Sequence, residues 1–364
     1  MDNNAPLCKE LYNILLLNPD AQEHRLTFGS NHSCGSERYL IKEDDYMRET
    51  FCPTSTLLSV FKESHDILAK CQYRISDYGA ENLYFLTLGN LLAAPGNHTA
   101  FNLHEKLFIK NLKENTDIKF LLRNELLLIE RFLTSTNNRL NKCSSLWYFY
   151  RKLVILARYH NCEKLSYSST IIYSGSRHFS NYYCWATARW LYDIISAKEK
   201  ASLLEAVSNF CFENVRDISS WTALSYMVCQ QKRKLKNNYM DYKRLRKLLQ
   251  LPEEDTSEPD WLHLEIEQYV AKIIKIIDSA AAEEWPPYLC LMEILKEMPG
   301  AADLSIFSTW HLDLRNFEEK YGTINLVRNH PVVPSNLCGN ALLSRNARHY
   351  GLKKVFLLKV RNFN

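Results

Sequence analysis

Eleven cysteines and eleven histidines are the obvious metal ligands and nucleophiles in this 364-residue chain, and their spacing decides what they can do. No two cysteines stand as a CxxC pair; Cys8, Cys34, Cys52, Cys71, Cys143, Cys162 and Cys184 fall at irregular intervals. The His-x-Cys pairs His32–Cys34 and His160–Cys162 have no further ligand nearby, whereas a structural zinc takes four. The pattern points to thiols outside disulfides and to no metal centre in this chain. GxGxxG, GxxxxGK[ST] and GxSxG are absent, which removes the common phosphate-cradle and nucleophile-elbow chemistries. No paired-carboxylate or nucleophile–base constellation is readable, so an enzyme acting alone has no starting point. Two glycosylation sequons begin at Asn31 and Asn97, and the second asparagine has a structural use.

That use belongs to a degenerate helix-start motif. It reads NYYCWATARWL at 181–191, with relatives at 97–107 (NHTAFNLHEKL), 143–153 (CSSLWYFYRKL) and 217–227 (DISSWTALSYM). Aligning Phe101, Trp147, Trp185 and Trp221 places Asn97, Cys143, Asn181 and Asp217 four residues earlier, three of them strong N-cap types. Phe108, Val154, Tyr192 and Val228 stand seven residues later, on the helical face of the aromatic. The anchors recur at hairpin-sized intervals, which predicts an all-α solenoid, a superhelix of helical hairpins.

The elements that must position these helix starts follow from periodicity. Leu122, Leu126, Ile129 and Leu133 predict an amphipathic helix before Trp147, and Leu203, Val207 and Phe210 one before Trp221. Another follows from Ile266, Val270, Ile273 and Ile277, while Trp285 and Trp310 are candidate later anchors. Residues 1–80 read as an irregular N-terminal cap or arm, with apolar patterns at 11–17 and 56–70. The repeats span 81–320, interrupted by a charged loop at about 231–260. Residues 321–364 form an extension with no pattern. Ten glycines argue against Gly-rich folds, and a net charge of +4 gives no concentrated basic face for nucleic acid. The N-terminus is not a secretory signal, VRNFN is not a CaaX signal, and no apolar run is long enough to span a membrane. A cytoplasmic location is expected.

The motif resembles the protein prenyltransferase α-subunit repeat, centred on N-Y-x-x-W-x-x-R-x-x-L, and residues 90–109 are similar to the first repeat of that family. His104, Tyr150, Ala188 and Leu224 stand where the family has arginine, with Arg151 and Arg189 one position later, as in a divergent orphan α subunit. The resemblance implies a right-handed superhelix of tetratricopeptide-like crescent form, and a heterodimer with a Rab-type prenyltransferase β subunit that carries the zinc and the isoprenoid pocket. It implies support for geranylgeranyl transfer from the diphosphate to a C-terminal cysteine of a protein substrate, with no cofactor on this chain. By the same register Lys142 faces the diphosphate, Tyr182 serves catalysis, and Tyr183 and Ser144 contact substrate. The alternative is a non-catalytic helical-repeat adaptor for protein–protein contact.

Overall fold

A computed structural model describes residues 5–17, 23–30, 37–74, 78–162, 167–229, 237–253, 262–297 and 305–361. In chain order the first elements are α1 (Pro6–Leu16), β1 (Glu23–Gly29), β2 (Leu40–Glu43), β3 (Met47–Pro53), α2 (Thr54–Lys70) and α3 (Ala80–Ala93). Next come α4 (His98–Glu114), α5 (Ile118–Leu133), α6 (Asn138–Asn141), α7 (Ser144–Tyr159), α8 (Tyr167–Arg177) and α9 (Tyr182–Ile194). They are followed by α10 (Ala197–Glu213), α11 (Ile218–Val228), α12 (Asn237–Leu248), α13 (Ile266–Ser279), α14 (Trp285–Lys296) and α15 (Ser305–Tyr321). The hairpin β4 (Asn325–Val327) and β5 (His330–Val332) precedes the last helix, α16 (Ala341–Val360). The chain is mostly helical, as its periodicity predicts. Two small sheets have no place in an all-α reading and correct it. No described helix is long and apolar enough to cross a membrane.

The chain divides into two compact units, Met1–Thr187 with Asp241–Asp255, and Ala188–Met240 with Thr256–Asn364. In both, the helix-start motif does the packing its spacing predicts. Phe101, Trp147, Trp185 and Trp221 are all buried, as are Phe108, Val154, Tyr192 and Val228. The caps are real: Asn97 accepts from the Ala100 N–H at 3.2 Å, and Asp217 from the N–H groups of Ser219 and Ser220 at 3.0 Å. The side chain of Asn181 accepts from the Cys184 N–H at 3.3 Å. Cys143 is the exception. Its thiol donates to the Pro95 carbonyl at 3.4 Å and leaves the start of α7 without a side-chain cap.

The first unit begins with the segment whose sequence shows no repeats. Its three-stranded sheet has the order β1-β3-β2, β1 parallel and β2 antiparallel to β3. The inner face carries His24, Leu26 and Phe28 beside Arg48, Thr50 and Cys52, which are cross-strand neighbours in that order. The outer edge of β1 is partly closed by the Thr136 N–H, which donates to the Leu26 carbonyl at 3.1 Å. That contact satisfies a backbone acceptor that an edge strand otherwise exposes. Gly175 in α8 lets a helix approach the Trp185 ring, since a methyl there would lie 2.7 Å from its Cζ2.

In the second unit the prolines after Trp285 fall in the first turn of α14, where a missing N–H costs nothing. Arg328 and Asn329, both at positive φ, make the two-residue turn between β4 and β5, the backbone a tight hairpin demands. Lys353 is buried beside Trp310 and Tyr350, with Nζ 2.6 Å from Asp278 Oδ1. The Trp310 indole donates to the other oxygen of Asp278 at 3.1 Å.

Two outcomes follow. Asp278→Ala strands the Lys353 charge and should cost about 2–3 kcal/mol in urea unfolding, the low end for a broken buried pair because Asp278 is 42% exposed. Lys353→Met should cost less than half as much. Burial pushes the Glu130 carboxyl from 4.5 up to about 7, against hydrogen bonds from Thr170 at 3.0 Å and Tyr150 at 3.3 Å. Its contribution is therefore fully present below pH 4.5 and is lost as the pH rises through about 7. Glu130→Gln should reduce the stability difference between pH 5 and pH 8 by about 2.5 kcal/mol, measured by unfolding at both values.

Candidate functional site

Two arrangements in the first unit resemble functional sites, and exposure separates them. In the first, Thr87 Oγ1 lies 2.9 Å from His104 Nδ1, and His104 Nε2 lies 2.9 Å from Glu125 Oε1. Tyr84 donates its hydroxyl to the other oxygen of Glu125, and its ring stacks on that of His104. The order hydroxyl–imidazole–carboxylate is that of a catalytic relay. Yet Thr87 and His104 are fully buried and Glu125 is 1% exposed, so no substrate reaches the hydroxyl. Thr87 also hydrogen-bonds the Tyr84 carbonyl at 2.8 Å. This is a satisfied polar core, and His104 occupies it from the position three residues after Phe101.

The second is an open groove of about 550 Å³ where α4, α7 and α9 begin. Its lining repeats the register of the helix-start motif. Three residues before each ring stand His98, Ser144 and Tyr182, one residue after it Asn102, Tyr148 and Ala186. Glu105 and Arg151, four residues after, complete the pattern, with Ser145, Tyr183 and Lys152 between them. The rings Phe101 and Trp147 form its floor. Each helix presents its positive end here, with first-turn N–H groups that have no partner within the helix.

The polar wall is preset. Lys152 Nζ sits 2.5 Å from Glu105 and 4.8 Å from the centre of the Tyr148 ring. Arg151 donates from Nε to Thr187 Oγ1 at 3.2 Å and from Nη1 to Asp241 Oδ2 at 3.4 Å. Burial raises the Tyr148 phenol pKa, followed by the Asp241 charge, so the group stays a neutral donor. Tyr182 is 63% exposed and Tyr183 40%, their rings edge to face at 5.5 Å, with Phe179 exposed in the same turn.

Of the residues singled out in the sequence, Ser144, Tyr182 and Tyr183 come together in this groove. Lys142 is not in its lining; it ends α6, and its Nζ donates to the Phe179 carbonyl at 3.2 Å. Sequence reasoning passes over His98, Asn102, Glu105, Tyr148 and Lys152. The signal that finds them is the register itself, read at the positions packing does not fix. Of the two His-x-Cys pairs, His32–Cys34 lies outside the described residues. Among the described residues no group of three or more metal-ligating side chains exists.

Comparison with known proteins overturns the prenyltransferase resemblance. The family models that match are the ECM9 N-terminal domain over residues 1–134, the ECM9 middle domain over 146–249 and the ECM9 C-terminal domain over 266–364. Geranylgeranyl transfer, the Rab-type β subunit and the diphosphate contact of Lys142 lose their basis with it. The reason is physical. A capped helix start with a buried ring and an apolar residue seven positions on is what packed helices need, whatever their family. Protein ECM9 of Saccharomyces cerevisiae is 38% identical over 370 residues, covering 99% of this chain and 97% of that one. With that identity along the whole length and three consecutive domain models matched, the chain belongs to the ECM9 family.

Proposed function

We propose that this chain is a binding protein whose groove at the starts of α4, α7 and α9 takes a ligand joining a planar ring to an anionic group. The observation that carries the proposal is the convergence of three helix N-termini on one groove walled by exposed tyrosines. Helix starts favour an anion through their N–H groups and dipole. α7 is the strongest of the three because the Cys143 thiol is turned away to Pro95. Half-buried Tyr148 and exposed Tyr182 and Tyr183 supply faces for a flat ring, and large exposed rings grouped on one surface mark a contact site. The volume suits a ligand of mononucleotide size. Arg151 and Lys152 are held in place by Asp241 and Glu105, so they orient the anion without needing to be reorganised. Eleven cysteines without paired spacing suit a reducing, cytoplasmic setting for this activity.

Phenyl phosphate, a ring with a phosphate, is the minimal probe. Calorimetric titration should give one site per chain with a Kd below about 1 mM. Tyr182→Ala and Arg151→Ala should each weaken it about tenfold, while Lys142→Ala leaves it unchanged. No saturable heat up to 10 mM, or equal binding in the Tyr182 and Arg151 variants, would overturn the reading.

A further inference from the structure

The inner face of the β1–β3 sheet carries charge where a core normally holds apolar side chains. His24 and Arg48 are cross-strand neighbours on that face, and Arg131 of α5 packs against them. Arg48 and Arg131 are each 4% exposed. Arg131 donates from Nη2 to His24 Nε2 at 3.2 Å, which requires a neutral imidazole. Burial and the two neighbouring guanidiniums push the His24 pKa down to about 3 and so keep it neutral.

The negative charge nearby does not balance this pair. Arg48 reaches Glu43 at 3.3 Å, and Glu43 is 38% exposed on the short edge strand. Glu130, the acid next to Arg131 in sequence, accepts instead from Thr170 and Tyr150. Among the described residues Arg131 has no carboxylate at ion-pair distance; besides His24 its Nη2 reaches the Leu17 carbonyl, at 3.5 Å. The Nε–H groups of Arg48 and Arg131 are both shielded from solvent and both lack a hydrogen-bond partner. An unpaired buried donor costs about 1–3 kcal/mol, and more when charged. Two on adjacent like-charged groups point to an anion that completes them. Burial and the Arg48 charge hold the Arg131 guanidinium down at about 9, which fits an excess of positive charge.

We propose that Arg48 and Arg131 hold a small inorganic oxyanion, of the sulfate or phosphate kind, at the inner face of the β1–β3 sheet. Guanidinium groups match oxyanions through planar, paired N–H donors. The anion would offset the two cations and tie α5 to the sheet. It is distinct from the groove at the helix starts, which uses other residues of the same unit.

The test is calorimetric titration of the full chain with sodium sulfate, at ionic strength held constant with sodium gluconate. One saturable site per chain is expected, and 20 mM sulfate should raise Tm by about 3–6 °C over the matched gluconate control. Arg48→Lys keeps the charge but removes the Nε–H, and should weaken sulfate binding at least about tenfold. Arg131→Met should abolish the sulfate-dependent rise. Lys142→Ala, which removes a cation of the same unit outside both sites, should bind sulfate as the parent does. The proposal is overturned if sulfate and phosphate both fail to saturate a site on the parent chain. It is equally overturned if the Arg48→Lys chain binds sulfate as tightly as the parent.

Discussion

A large ring placed four residues after the residue that precedes a helix has to be enclosed on all sides, and an indole N–H buried with it seeks an acceptor. Trp147 meets this by donating from its indole to the Asn141 carbonyl at 2.7 Å, and Trp221 by donating to the Asn214 carbonyl at 3.3 Å. In both cases the acceptor lies just before the helix, at the end of α6 for Trp147 and one residue past α10 for Trp221. The ring therefore fixes its own approach loop as well as its helix. Asparagines extend the tie within the first unit: Asn97 donates to Asn90 Oδ1 at 3.0 Å, and Asn181 to both Asn141 and Ser174. These amides convert a side-chain packing rule into a rule about where helices begin.

Once the starts of α4, α7 and α9 each carry a buried ring at the same position, they open onto one groove, because equivalent register positions face the same way. Packing fixes the cap, the ring and the seventh position after it. It leaves open the positions three before the ring and one and four after it, and those line the groove. The chain writes different chemistry into that fixed frame: imidazole, hydroxyl and phenol before the ring, amide and phenol after it. The loss of a side-chain cap at Cys143 belongs to the same logic. A helix start that is left uncapped at the protein surface gives up stability and keeps its donors for another group.

The helices were legible because their apolar stripes follow the 3.6 period over long stretches, as Leu122–Leu133 and Ile266–Ile277 show. The first sheet was not. Its inner face alternates as a strand should, but His24 and Arg48 occupy two of the slots where apolar residues would announce it. The β4–β5 hairpin is three residues on each side, too short for alternation to register. Three groove residues were legible for a reason that failed: the prenyltransferase register pointed to Ser144, Tyr182 and Tyr183, and these do face one groove, but through the geometry of helix starts. Lys142 shows the limit, since a residue at the end of a one-turn helix is placed by the local turn and not by the repeat.

The buried ions of this chain divide by how completely they are matched. Lys353 has a carboxylate and two ring faces, and Glu125 has an imidazole and a phenol. Each of these sets closes on itself, and packing accounts for it. Arg48 and Arg131 lie as deep, but between them they have a part-exposed carboxylate, a neutral imidazole and, at 3.5 Å, the Leu17 carbonyl. Replacing a buried charge with an apolar side chain of similar volume is often neutral or stabilising, so specifying a sheet does not call for two guanidiniums on its inner face. A sheet that needed stability alone would carry leucine or methionine there. The cations make sense as the half of an interaction that this chain supplies, and the chemistry of two planar cationic donors defines the other half as a small oxyanion.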